Sequence, residues 1–170
     1  SFKSYSSFFK SQGILIDQEK RKLFISNEIL KISKAKKIKI NLKKELLEEI
    51  TNIVEKPKIL FCEFDKKYLS IPKEILIITM QNHQKYFPTF DNKDNLTNNF
   101  IVIADKKDTK GIIKLGNERV IEARLNDAEF FWKKNRSQNL VKQVSKLKNI
   151  NYFKGLGTYF DKVQRIKKLC

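Results

Sequence analysis

Apolar residues recur at helical spacing in two stretches of the first third of the chain. Asp17 is suited to cap a helix that runs to about Lys34, and Asn41 precedes a second helix over residues 42–54. The lysine-rich residues 34–39 between them predict an exposed connection. The apolar positions that should face a core are Leu23, Ile25, Ile29, Leu30 and Ile32 in the first helix and Leu46, Leu47, Ile50 and Ile53 in the second.

Three apolar, partly β-branched runs in the middle of the chain predict a small sheet. Residues 58–64 form the first run. Residues 89–91 and 99–104 form the other two and flank a polar turn at 92–98, so they should pair as a hairpin.

A helix is predicted between the first strand and the hairpin. Pro72 near its first position is a strong start signal, and the helix should run to about Lys85 before Pro88 closes it off. His83 falls on the apolar stripe of this helix. That position favours a buried, hydrogen-bonded histidine over a catalytic base.

The last third of the chain predicts helices. Gly116 opens a long amphipathic helix, a further helix spans about 139–147, and apolar residues at helical spacing predict another over 160–170. The last helical pattern reaches the end of the sequence without a helix-ending residue, and the sequence opens with Ser1 rather than Met. We therefore expect the sequence to be a fragment of a longer chain. The predicted fold class is α+β, a small sheet carrying helices followed by a helical C-terminal extension.

Four segments are predicted along the chain. They are an N-terminal helical segment (1–35), an α+β core module (36–115), a long helix with a helical connection (116–150) and the truncated start of a further helical domain (151–170).

The charge of the chain is strongly positive. Thirty-six Lys and Arg against nineteen Asp and Glu give a net charge of +17, which attracts polyanions, first of all nucleic acid. Only five of the cations are Arg, and an AT-rich genome would also produce many lysines. An RNA-facing surface should carry a continuous basic track, whereas background basicity should be spread evenly. Tyr86 and Phe87 are predicted to be core residues rather than a platform for stacking RNA bases.

Several kinds of catalytic site are excluded by composition. His83 is the one histidine, Cys62 and Cys170 lack zinc-site spacing, and no glycine-rich phosphate loop occurs. Cys62 lies in an apolar run and should be buried in a strand. No catalytic or metal-binding residue is therefore predicted. The chain also has no membrane-length apolar run and no signal peptide, so we expect no membrane partner and a cytoplasmic location.

Two arginines of the long helix each allow two interpretations. Arg124 lies one turn from apolar residues on either side, so it should be half-buried, and Asp127 three residues on is its expected partner. Arg119 could form a structural ion pair or contact phosphate, and the ion pair is slightly favoured.

Several short sequence motifs occur in a particular order along the chain. Their order and spacing resemble the beta subunit of bacterial heterotetrameric glycine–tRNA ligase over nearly the whole chain, and most sharply over residues 46–131. The chain departs from the family pattern at Lys56, Asn126 and Lys154-Gly155. The strings include LLEEIT (46–51), SIPKE (70–74), HQKYFP (83–88), GNERV (116–120), ARLNDAEFF (123–131) and DKVQRI (161–166).

This resemblance implies a division of labour between two kinds of subunit. The alpha subunit would hold the site that activates glycine with ATP and Mg²⁺, and this segment of beta would have neither an active site nor a cofactor. The partners implied are the alpha subunit, in a heterotetramer of two alpha and two beta chains, and tRNA(Gly). Residues 151–170 would begin an HD-like helical domain. Candidate tRNA or subunit contacts are His83, Gln84, Lys85, Asn117, Arg119, Arg124, Lys162 and Arg165.

Two other functions stay open. The middle region is similar in layout to the editing-type module of the phenylalanine enzyme's beta subunit, and an HD-like start suggests a nucleotide phosphohydrolase. A vestigial or active hydrolase is therefore one alternative, although a working HD site needs several His and Asp ligands and the segment has His83 alone. A purely structural scaffold is the other.

Overall fold

The computed structural model describes residues 2–170, with side chains from residue 4 onward, and the chain divides into two compact units. The first unit ends at Glu129, and the second consists of Phe130–Cys170. A small antiparallel sheet carrying helices in the first unit and helices in the second confirm the α+β fold class. The division into four segments stays a prediction.

Seven α-helices and six strands are present within residues 2–170. The helices are α1 (Phe2–Ser11), α2 (Gln18–Lys36), α3 (Lys44–Ile53), α4 (Lys73–Ile78), α5 (Ile112–Ser137), α6 (Leu140–Gln143) and α7 (Tyr159–Leu169). The strands are β1 (Lys39–Ile40), β2 (Lys58–Glu63), β3 (Phe87–Phe90), β4 (Leu96–Ala104), β5 (Asn151–Phe153) and β6 (Gly157–Thr158). A π-helical turn spans Thr79–His83, and 3-10 turns span Lys66–Ser70 and Val144–Asn149.

The main sheet has the strand order β1-β3-β4-β2, and every neighbouring pair is antiparallel. The longest ladder joins β2 to β4 and runs without interruption from Lys58, opposite Ala104, to Glu63, opposite Asn99. The predicted strand at 58–64 and the predicted hairpin therefore do form one sheet.

Helices α2 and α3 pack against one face of this sheet. Alternate residues of a strand point to the same face, so Phe61 of β2 and Ile101 of β4 both meet the helices. Ile25 and Ile29 of α2 are completely buried there. The remaining buried members of this cluster are Leu46, Leu47, Ile50, Val54 and Phe87.

The opposite face of the sheet is covered by the segments that follow β2 and by the first part of α5. Phe100 of β4 lies on this face and stacks on Tyr86, with ring centroids 5.0 Å apart. Ile121 and Leu125 of α5 are buried. The first unit thus has three layers.

Two helix starts differ from prediction. Helix α3 begins at Lys44 with Lys43 as its N-cap, whereas Asn41 was the expected cap. Within the predicted connection 34–39, residues 34–36 end α2 and Lys39 begins the edge strand β1. Helix α5 begins at Ile112, four residues before Gly116. Asp108 explains the earlier start, since its carboxylate accepts the N–H groups of Ile113 (3.2 Å) and Lys114 (2.8 Å).

Further differences concern strands and the second unit. The helical segment predicted to run to about Lys85 ends at His83, and the strand predicted from residue 89 begins at Phe87, so Pro88 lies inside β3 opposite Phe100. The predicted helix over 139–147 is a single α-turn, α6, continued by a 3-10 turn. The β5–β6 hairpin was not predicted, and Gly155 and Gly157, with φ of +81° and +77°, allow its tight turn. Leu23, Leu30 and Ile53, which were predicted to face the core, are exposed because only a narrow stripe of each helix meets the sheet.

Candidate nucleic-acid interface

The strings HQKYFP, GNERV and ARLNDAEFF come together in the first unit through two buried tyrosines. The Tyr86 hydroxyl donates to Asn117 Oδ1 (2.7 Å), and Asn117 Nδ2 donates to the carbonyl of Ile113 (2.7 Å). The Tyr68 hydroxyl donates to Asn126 Oδ1 (2.6 Å). Asn117 therefore holds α5 against the sheet, and its assignment as an RNA or subunit contact stays a prediction.

The end of α4 places His83 differently from prediction. A π-helical turn follows Ile78 and holds more residues than an α-turn, so His83 is rotated off the stripe formed by Leu76 and Met80. Leu76 and Met80 are buried, whereas His83 is exposed. The prediction of a buried histidine is wrong, because the spacing argument assumed a regular α-helix.

Lys85 follows with an unusual backbone. Its φ is +59°, a left-handed conformation that residues other than glycine rarely adopt. Two bonds fix this geometry: Lys85 Nζ pairs with Glu49 Oε1 (2.9 Å), and the N–H of Tyr86 donates to the carbonyl of Met80 (2.9 Å). Strained backbone that is held from both sides is found most often at ligand-binding and active sites.

His83, Gln84 and Arg124 line one shallow cleft of about 340 Å³, together with Thr79, Asp127 and Ala128. Arg124 is exposed, and among the side chains that the structure describes no ion pair joins it to Asp127. The predicted half-buried pair is therefore absent, since water can solvate both groups on this face of α5. A guanidinium, an imidazole and a carboxamide are thus available together at this cleft.

Arg119 lies in a different setting on the same helix. It is exposed and lines a hollow with several carboxylates, those of Glu63, Asp65, Glu118 and Glu122. Within the described part of the chain it forms no ion pair with any of them, so the favoured structural pair is not present. The surrounding negative charge makes this hollow a poor place for a phosphate group.

The positive charge of the chain is not spread evenly. Residues 130–170 contain eleven Lys and Arg and a single acid, Asp161, which gives a net charge of +10. Residues 1–129 contain twenty-five Lys and Arg and eighteen acids, which gives +7 over three times the length. The second unit therefore carries most of the net charge, a concentration that attracts polyanions.

Lys162 and Arg165 both lie on α7 in this basic unit. Lys162 Nζ sits 4.2 Å from the ring centroid of Tyr152 and 5.8 Å from that of Tyr159. Arg165 is exposed one turn beyond Asp161. Sequence reasoning missed the two tyrosines, although aromatic residues that alternate with lysines over 148–162 are typical of nucleic-acid-binding surfaces. Other cations lie over aromatic rings in the same unit, namely Lys134 over Phe130, Arg136 over Trp132 and Lys148 over Phe160.

Nucleophile and metal chemistry have little support in the described residues. Burial raises the pKa of the Cys62 thiol to about 12, so this side chain stays protonated in its strand, and its predicted burial is confirmed. Within residues 2–170 no group of three or more His, Cys, Asp or Glu side chains is placed to bind a metal ion. No helix in that range is long and apolar enough to span a membrane.

Comparison with known proteins gives a consistent result. A family model described as glycyl-tRNA synthetase beta subunit matches residues 1–170. The chain is 42% identical to a glycine–tRNA ligase beta subunit of Dictyoglomus thermophilum over 167 residues, which is 98% of the chain and 24% of that relative. Beta subunits of Thermodesulfovibrio yellowstonii (37% over 168 residues) and Streptococcus agalactiae (36% over 169 residues) match 98% of the chain and 25% of their own length. The chain thus spans about a quarter of the length of these relatives.

Proposed function

The chain belongs to the glycyl-tRNA synthetase beta subunit family, and on that premise we propose that it is a non-catalytic segment of a glycine–tRNA ligase beta subunit. It contributes to binding tRNA(Gly) and to association with an alpha subunit, in a cytoplasmic heterotetramer of two alpha and two beta chains. The alpha subunit supplies the aminoacylation site with ATP and Mg²⁺, and this segment binds neither.

The observation that carries the RNA part of this proposal is the concentration of charge in residues 130–170. A net charge of +10 over that short stretch, with one acid, favours a partner that carries many phosphates. Lysine predominates over arginine there, which suits phosphate contacts that position RNA without reading its sequence. The whole-chain family match supports tRNA(Gly) as that partner.

The tRNA part of the proposal is tested with the complete alpha–beta enzyme. Binding of labelled tRNA(Gly) is measured over a range of salt concentrations, and we expect affinity to fall steeply as salt rises. A beta subunit in which Lys142, Lys146 and Lys154 are changed to Gln should bind more weakly with a smaller salt slope. The matched control changes Lys31, Lys73 and Lys93, three exposed lysines of the first unit. Equal slopes for both triple variants would count against the proposal.

Association with the alpha subunit needs its own test. The relatives are named as beta subunits, so each is a part of a larger enzyme. Co-purification of a tagged alpha subunit with full-length beta, and with beta from which residues matching this chain are deleted, measures the contribution of the segment. Retention of full assembly and full glycylation activity after the deletion would contradict the proposal.

A second function has one observation in its favour. His83 is exposed in a cleft with Arg124 and Asp127 rather than buried in the core, as a hydrolase acting on mischarged tRNA would require. Release of amino acid from mischarged tRNA(Gly) by the enzyme, lost in a His83→Ala variant, would support this editing activity. We rank it second because, among the described residues, no group of three or more His, Cys, Asp or Glu side chains is placed to bind a metal ion.

A further inference from the structure

We propose that one face of the β5–β6 hairpin, with the start of α7, binds unpaired nucleotides of RNA, using the rings of Tyr152 and Tyr159 for base stacking and Lys162 for phosphate. This inference rests on the proposed function, because it assigns part of the tRNA contact to a defined surface of the second unit.

The two tyrosines form a compact aromatic pair. Their ring centroids are 5.2 Å apart and the rings are inclined at 71°. Tyr152 is 36% exposed and Tyr159 41% exposed, so each ring packs on the other and still offers area to a ligand. A base that stacks on such a ring gains free energy whatever its identity, which suits a contact that holds unpaired RNA without reading sequence.

The backbone beneath the pair is fixed before any ligand arrives. The N–H of Tyr159 donates to the carbonyl of Ile150 (2.9 Å), which ties α7 to the hairpin. Thr158 and Asp161 form a capping box, in which the Asp161 carboxylate accepts the N–H and the hydroxyl of Thr158, each at 2.8 Å. A surface that is already ordered loses less entropy on binding than a flexible loop would.

The electrostatics of this face favour phosphate. Asp161 is the single acid of the second unit, and its Oδ2 already accepts two hydrogen bonds from Thr158. Lys162 lies over both tyrosine rings, and Lys148 lies 4.9 Å from the ring centroid of Phe160 on the same helix. An RNA strand laid along the tyrosines would therefore find ammonium groups beside its backbone.

An internal control is present on the same strand. Phe153 directly follows Tyr152 in β5, is 67% exposed and is an aromatic residue of similar size. Lys162 lies over the rings of Tyr152 and Tyr159, which also contact each other, and these contacts define the proposed face without Phe153. A substitution there tests whether any exposed ring of this unit has the same effect.

The experiment compares three RNA probes with the complete alpha–beta enzyme: labelled tRNA(Gly), an unstructured oligonucleotide and a blunt duplex. The double variant Tyr152→Leu/Tyr159→Leu should lose about fivefold or more in affinity for the unstructured oligonucleotide and much less for the duplex. Lys162→Gln, which leaves both rings in place, should reduce the slope of log K against log salt by about 0.7–0.9. Phe153→Leu should change neither quantity.

The outcomes separate the two proposals. If the wild-type enzyme binds no tRNA at any salt concentration, the proposed function fails. If the wild type binds tRNA but Lys162→Gln keeps the full salt slope, the hairpin inference alone is overturned, and this variant decides the matter even where the double variant unfolds. Weakened alpha–beta assembly with unchanged RNA affinity would also overturn it, since the face would then contact protein.

Discussion

The Tyr86 hydroxyl donates a hydrogen bond to the Asn117 side chain at 2.7 Å, which joins the loop after the π-helical turn to helix α5. The same ring stacks on Phe100 in the sheet. Tyr86 is almost fully buried, and its hydroxyl bonds the half-buried side chain of Asn117. One tyrosine therefore connects the loop that carries Lys85, the sheet and helix α5.

Replacing Tyr86 with Phe should lower the free energy of unfolding by about 1 kcal/mol, because the half-buried Asn117 carbonyl would lose its donor. Denaturant titration measures the change. Tyr5→Phe removes the same hydroxyl from a ring that is exposed, and it should alter stability by less than about 0.5 kcal/mol. Equal effects of the two substitutions would show that the bond to Asn117 contributes nothing.

Features that depend on a residue and its sequence neighbours could be predicted from the sequence. The Asp17 carboxylate accepts the N–H of Lys20 as an N-cap, Cys62 is buried in its strand, and Tyr86 and Phe87 are core residues. Each of these predictions depended on a residue and its near neighbours alone. That is why they are correct.

The predictions that failed depended on distant contacts. Proline is rare inside sheets, so the strand was predicted to begin after Pro88, yet Pro88 lies in β3 and pairs with Phe100 of β4. His83 lies off the apolar stripe of its helix because of a π-helical turn, which the spacing of apolar residues does not predict. For the candidate site, the motif residues could be identified from the sequence. The packed structure was needed to show that Asn117 holds the fold together and that Arg124 is exposed.

Stability should fall as the pH rises above about 9. Burial raises the pKa of Cys62 from an ordinary value of 9.0 to about 12, and that of Tyr86 from 10.0 to about 12. Below pH 9 both groups are protonated in the folded and unfolded chains and contribute nothing. Above it the unfolded chain loses protons that the folded chain keeps, so unfolding becomes more favourable.

The Cys62 contribution can be isolated by measuring unfolding between pH 8 and 9.5, where lysines remain charged. The wild type should lose stability with rising pH more steeply than a Cys62→Ala variant, which lacks the thiol. The variant will be less stable throughout because it leaves a small cavity, so the comparison concerns slopes and not absolute values. Parallel curves would show that Cys62 ionises equally in both states.

Truncation to Ala should destabilise the fold much more at Arg21 than at Arg124. The Arg21 guanidinium donates to the carbonyls of Thr51 (2.7 Å), Ile16 (3.3 Å) and Leu15, so Arg21→Ala leaves half-buried acceptors without donors. We expect a loss of about 2–3 kcal/mol of stability from that change. Arg124→Ala should cost less than about 0.5 kcal/mol, because the side chain is exposed.

Arg124 is expected to affect tRNA binding rather than stability. If the cleft of His83, Gln84 and Arg124 contacts tRNA, then Arg124→Ala in the complete enzyme should weaken tRNA binding while thermal stability is kept. Arg124→Lys retains the charge and should restore part of the affinity if phosphate is the ligand. Unchanged tRNA affinity in Arg124→Ala would remove this residue from the contact set.

Two glycines of the β5–β6 hairpin form a matched pair for the last prediction. Gly155 and Gly157 both have positive φ, so replacement by Ala strains the backbone at either position by about 1 kcal/mol. At Gly155 the added Cβ would meet open space, whereas at Gly157 it would collide with the Asp161 carboxylate. Gly157→Ala should therefore also break the capping box between Thr158 and Asp161.

The added cost at Gly157 should appear locally in α7. Hydrogen exchange at the N–H groups of Thr158 and Asp161 should speed up in Gly157→Ala and stay close to wild type in Gly155→Ala, since these N–H groups donate within the box. Thr158→Ala, which removes one partner of the box without backbone strain, should reproduce the faster exchange at Asp161. Equal exchange in the two glycine variants would mean that Asp161 can move aside freely. The start of α7, which carries Tyr159 and Lys162, would then not be held in place by the capping box.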